Sequence, residues 1–89
     1  MERTMTTEEF EVIKRLKWAC RRGMLELDVL LEPFVERHFL GLSPAQQQAF
    51  ERLLKEDDPD LFAWFMGHAP CPDPELADMV ALILERNQP

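Results

Sequence analysis

Leu25-Glu26-Leu27-Asp28-Val29-Leu30-Leu31-Glu32-Pro33-Phe34-Val35-Glu36-Arg37-His38 decides the fold class. Leu27, Leu30, Leu31, Phe34, Val35 and His38 fall at the i, i+3, i+4, i+7, i+8 and i+11 positions of one stripe. That spacing gathers apolar side chains on a single face of an α-helix. Pro33 lies inside the stripe without shifting its phase. An internal proline removes one hydrogen bond and crowds the preceding turn. The spacing therefore predicts a kinked but continuous helix over 25–40, ended by Gly41.

The same logic extends to both sides. Upstream, Thr6-Thr7-Glu8-Glu9 has the form of a capping box, in which a threonine hydroxyl and a glutamate three residues on satisfy each other's backbone N–H groups. Phe10, Ile13, Leu16, Lys17 and Cys20 follow at helical spacing, with Val12 and Trp18 to the sides. This predicts a helix over 7–21, stopped by Gly23 in a left-handed turn, a conformation glycine takes without a Cβ clash. Downstream, Ser43-Pro44, Asp58-Pro59 and Asp73-Pro74 each put a capping side chain before a proline, a helix-start arrangement. They predict helices over 44–56, 59–66 (stopped by Gly67) and 74–87. The shared spacing of the three starts reflects shared capping, because the unit is too short for a helical-pair solenoid. No segment alternates with period two. The expected fold is all-α: a compact five-helix single domain with short antiparallel connections over 7–87, between flexible tails at 1–6 and 88–89.

Composition narrows the function. The chain has 89 residues, 46% hydrophobic and 30% charged, with a net charge of −7. It is globular in composition and too short for a dinucleotide-binding fold plus a catalytic domain. The acidic balance argues against nucleic acid, which demands a basic footprint. Gln46, Gln47, Gln48, Arg52 and Lys55 could face DNA from the third helix, but Glu51 and Glu56 lie among them. No run of about 20 apolar residues spans a membrane. The first residues carry no secretory pattern, so a cytoplasmic location is expected. Cys20 and Cys71 are then expected as free thiols. With His38 and His68 they are possible zinc ligands, but without paired Cys-x-x-Cys spacing. No Cys or Ser has an adjacent base for nucleophilic catalysis. Neither a metal centre nor an enzyme is expected.

The charge map is uneven. Lys14, Arg15, Lys17, Arg21 and Arg22 are five of the ten basic residues, with no acid among them, leaving five bases against seventeen acids elsewhere. Cations near a helix C-terminus complement its dipole. They also suit a docking patch for an acidic surface, beside which Glu26 adds one anion. Trp18 lies off the apolar stripe next to this patch, and Met24 lies in the turn. Leu61, Phe62, Trp64, Phe65 and Met66 cover more than one face of the fourth helix. Such apolar excess either completes a small core or meets a partner.

Trp18-Ala19-Cys20-Arg21-Arg22-Gly23-Met24-Leu25-Glu26-Leu27-Asp28 resembles the Arg-Gly-x-x-Glu signature of the small bacterial flavinylation factors for succinate dehydrogenase, the SdhE type, which are related to mitochondrial succinate dehydrogenase assembly factor two. The resemblance continues through Pro33-Phe34, Leu53-Leu54, Asp57-Asp58-Pro59-Asp60-Leu61-Phe62-Ala63-Trp64 and Ile83-Leu84-Glu85-Arg86-Asn87. It implies a five-helix fold and a protein partner, the flavoprotein subunit of succinate dehydrogenase. Some members of that family also serve fumarate reductase. It implies an assembly chaperone, acting as a monomer, that promotes covalent FAD attachment within the partner. FAD is then the partner's cofactor, and none is bound stably by this chain, which has no Gly-rich phosphate loop. Carried over to this sequence, Arg22, Gly23 and Glu26 form the contact surface, flanked by Trp18, Arg21 and Met24. The competing reading is a small antitoxin-like or regulatory protein-binding module with a different target.

Overall fold

A computed structural model describes residues 6–21 and 23–87. Among these residues there are five α-helices and no strand: α1 (Thr7–Cys20), α2 (Leu25–His38), α3 (Pro44–Leu53), α4 (Asp58–Met66) and α5 (Pro74–Arg86), with a 3-10 turn at Phe39–Gly41 after α2. The predicted tails fall largely on residues 1–5 and 88–89, outside the described residues. Thr6 itself is engaged as the cap of α1.

Local chemistry accounts for most of the boundaries. Thr6 and Glu9 close the capping box of α1, and Ser43 and Gln46 close another on α3. Asp73 caps α5 by accepting from the N–H groups of Glu75 (2.9 Å) and Leu76 (3.3 Å). Gly67 ends α4 at φ 75°, as expected of a left-handed cap. Helix α2 passes through Pro33 without interruption, as its unbroken stripe predicts.

Several junctions differ from the sequence expectation, among them the end of α3, which falls at Leu53 rather than at residue 56. Helix α4 begins one residue early: Asp57 is the cap residue, Asp58 opens the helix, and Asp57 caps through its backbone, its carbonyl accepting from Leu61 at 3.0 Å. Helix α1 ends at Cys20, with extended Arg21 as its cap, so Gly23 (φ 76°) does not stop the helix. It turns the chain toward Met24, the extended residue that precedes α2. The predicted extension of α2 to residue 40 becomes the 3-10 turn.

Helix α2 is the axis of the molecule. It packs on α1, α4 and α5, and α5 in turn packs on α3 and α4, whereas α1 packs chiefly on α2 alone. Among the described residues no polar or charged side chain is buried in the core. Phe34 of α2 stacks on Phe50 of α3 at 5.5 Å between centroids, and Phe39 meets Phe50 edge-on at 5.7 Å. The fourth-helix apolar excess is largely used here: Leu61 and Phe65 are buried and Trp64 packs against the core. Met66 stays exposed.

Two polar devices lock the ends of the bundle. The Asn87 side-chain amide donates to the carbonyls of Leu30 (3.1 Å) and Ile83 (3.0 Å), tying the end of α5 to α2. Asn87→Ala removes both bonds and is expected to cost about 1–2 kcal/mol, read as a lower midpoint in urea with an unchanged m value. The second device is Arg52, which bonds Asp73 (2.5 Å) and Glu75 (3.0 Å) and fastens α3 to the start of α5. Burial pushes the Asp73 carboxyl upward. The opposing bonds from Arg52 and from the Leu76 and Glu75 N–H groups outweigh it, so the group is held below its ordinary value. A carboxyl depressed in the fold stabilises above its unfolded value and loses that contribution as pH falls through the folded value. Stability is therefore expected to drop below about pH 4. Arg52→Gln should flatten that part of a melting-temperature profile against pH.

Candidate functional site

The α1–α2 turn brings the signature residues to one end of the helical hairpin. Trp18, in the last turn of α1, is 66% exposed, and the Arg21 guanidinium sits 5.1 Å from its ring centroid. Arg21 also pairs with Glu32 of α2 at 3.5 Å. Arg22 lies outside the described residues. Gly23 is exposed, and a Cβ added to it meets nothing within 4 Å. Met24 is half-buried against the core, which anchors the turn from beneath. Glu26 is exposed in the first turn of α2 and makes no ion pair among the described residues. Trp18, Arg21, Gly23 and Glu26 thus share an exposed turn, with Met24 as its root.

The basic cluster is only partly free. Arg15 pairs with Glu51 of α3 at 3.5 Å, Lys17 bonds Glu36 of α2, and Arg21 takes Glu32. The bond from Lys17 is the main cause holding the Glu36 carboxyl below its ordinary value. Lys14 has no acidic partner among the described residues. Lys17 and Glu36 lie nineteen positions apart in the chain, and Arg15 and Glu51 lie on different helices, so charge counting along the chain could not find them.

Sequence reasoning also missed an apolar component. Phe10, expected on the inner stripe, is 54% exposed. At 100° per residue it falls about 90° from the centre of the face set by Ile13, Leu16 and Cys20. Leu25 and Val29 on α2 are likewise 71% and 54% exposed. Their four-residue spacing was visible in the sequence and marks a second, outward stripe on that helix.

Other chemistry-bearing residues are occupied structurally. Gln46 closes a capping box, Gln47 donates to the Phe39 carbonyl at 3.0 Å, and Arg52 holds Asp73 and Glu75. The polar face considered for DNA is therefore spent in part on fold contacts. Cys20 is buried in α1, Cys71 is half-buried in the link before α5, and both are free thiols. His38 packs against Phe34 at 5.5 Å and His68 against Phe62 at 5.8 Å. Among the described residues no three His, Cys, Asp or Glu side chains are grouped to hold a metal ion. Among the described residues no helix is long and apolar enough to cross a membrane.

Fold and surface together define a small all-helical protein whose distinguishing feature is an exposed turn of Trp, Arg, Gly and Glu. Residues 14–87 match the family described as the flavinator of succinate dehydrogenase, and the chain belongs to that family. The FAD assembly factor SdhE of Idiomarina loihiensis is 62% identical over 73 residues, covering 82% of this chain and 81% of the relative. The FAD assembly factor SdhE of Shewanella oneidensis is 58% identical over 77 residues, covering 86% and 94%. The solution structure of a UPF0350 protein superposes with a TM-score of 0.72 at 51% identity, covering 94% of this chain and 86% of the other.

Proposed function

We propose that this chain acts in the flavinylation of succinate dehydrogenase: it docks its α1–α2 turn on the flavoprotein subunit and promotes covalent attachment of FAD there. The turn carries this reading. Within a chain of this family, Gly23 and Glu26 of the signature stand exposed beside the uncovered Trp18, and among the described residues Glu26 makes no ion pair and a Cβ at Gly23 meets nothing within 4 Å. Trp and Arg are the residue types in which binding hot spots are enriched.

The role is that of a chaperone rather than a catalyst. The bond to flavin forms within the partner, and the factor favours the partner conformation in which it forms. Selective binding raises the population of the state that is bound. Moving a state from about 1% to about 50% needs only ~2.7 kcal/mol of differential affinity, well within reach of a modest interface. FAD remains the partner's cofactor in this scheme. The factor works as a cytoplasmic monomer, and the flavoprotein subunit of fumarate reductase, which presents the same chemistry, is a second client.

Charge-removing variants of the signature test the assignment. Arg22→Ala and Glu26→Ala are each expected to weaken docking by about 2–5 kcal/mol, because each strands an opposite charge at a desolvated interface. Exposed charges contribute little to folding, so Glu26→Ala should melt within a degree or two of wild type. The readout is covalent flavin fluorescence of the flavoprotein subunit in cells lacking the factor and complemented by each variant. Full flavinylation with both would remove the signature from the interface.

A further inference from the structure

We propose a second anchoring point on α1, resting on the function above: the groove bounded by Phe10 and Trp18, with Lys14 between them, takes an acidic segment of the partner polypeptide that carries one bulky apolar side chain. The groove encloses about 410 Å³. Phe10, Lys14, Lys17, Trp18 and Arg21 run along one side of α1 for three turns, a length of about 16 Å. Helix α1 packs chiefly on α2, and among the described residues nothing covers Phe10 and Trp18, which stay more than half exposed.

Two features select the occupant. The first is charge. Lys17 and Arg21 are held toward α2 by Glu36 and Glu32, which fixes one wall of the groove. Lys14 lines the same groove without an ion pair among the described residues, because the one acid of the lining, Glu36, is taken by Lys17. The complementary ligand supplies a carboxylate at that point. The second is apolar area. Phe10 and Trp18, 54% and 66% exposed, flank Lys14 at i−4 and i+4, over a floor formed by nearly buried Ile13. A bare anion would leave both rings in water, and a purely apolar ligand would strand the ammonium. A peptide with an Asp or Glu next to a large apolar side chain satisfies both, in the manner of anchors laid along a groove. The site lies one to three helical turns from Gly23, so the same partner reaches both the groove and the signature turn.

The test uses the full chain and the isolated flavoprotein subunit of succinate dehydrogenase. Lys14→Glu and Trp18→Ser should each weaken binding tenfold or more in calorimetric titration. Lys14→Glu should also flatten the dependence of affinity on salt. Both sites are exposed, so circular dichroism melts should stay within a few degrees of wild type. With p-benzoylphenylalanine in place of Phe10, photocrosslinking should capture a flavoprotein peptide containing Asp or Glu beside a bulky apolar residue. Unchanged affinity in both variants overturns the proposal. So does a crosslink confined to a second copy of this chain, or a groove filled by free FAD as read by quenching of Trp18. Gly23→Arg run alongside separates the two readings. Binding lost there but kept in the α1 variants removes the groove alone. No binding by the wild-type chain removes the docking function with it.

Discussion

Gly23→Arg is expected to abolish docking on the flavoprotein subunit while leaving a folded domain. At φ 76° an L side chain is strained, which costs about 1–2 kcal/mol. In a domain of this size that lowers the melting temperature by roughly 4–16 °C. A Cβ at this position meets no atom within 4 Å among the described residues, so the start of the side chain adds no clash to that strain. The arginine side chain would therefore project from the turn into the volume a partner must occupy. Gly23→Ala carries a similar backbone strain with almost none of the bulk, and so serves as the internal control. Loss of affinity in Gly23→Arg beyond that of Gly23→Ala, with similar melting curves, separates exclusion of the partner from weakening of the fold. Equal affinities for the two variants would place the turn outside the interface.

Phe34→Ala is expected to bring the domain to the edge of unfolding. Phe34 is 1% exposed at the middle of α2, stacked on Phe50 and packed beside His38. Removing a buried phenylalanine costs about 3–5 kcal/mol, part of it from the cavity left behind. A domain of this length buries a small core and sits toward the low end of the ~5–15 kcal/mol usual for folded proteins. The loss consumes most of that margin, and the melting temperature should fall by more than about 12 °C. The effect reaches the docking turn, because α2 supplies Glu26 and the acids that hold Lys17 and Arg21. Flavoprotein binding should therefore fall with the folded fraction. Phe50→Leu, which keeps apolar volume, should do far less damage.

The helices were legible because their signals are local. The stripe from Leu27 to Val35 places its own face inward, and Ser43, Asp73 and Gly67 mark ends through bonds to neighbours a few residues away. The shift at Asp57 shows the limit of such signals, since adjacent aspartates offer the same side chain and Asp57 takes the cap position without a side-chain cap bond. The signature turn was legible from its sequence pattern, and its exposure agrees with the off-stripe position of Trp18. Phe10 was misplaced because a residue at the edge of a stripe is buried only if a neighbouring helix covers that edge, and α1 has essentially one neighbour. The pairing of Lys17 with Glu36, of Arg15 with Glu51 and of Asn87 with Leu30 depends on tertiary approach. No spacing rule along the chain contains it.

The most direct measurement is in-gel fluorescence of covalent flavin on the flavoprotein subunit of succinate dehydrogenase, in cells deleted for their own assembly factor and expressing this chain. The proposed function requires the fluorescent band to return with the wild-type chain and to stay absent with Gly23→Arg expressed at equal level. A dark flavoprotein band in the presence of folded wild-type chain would contradict it.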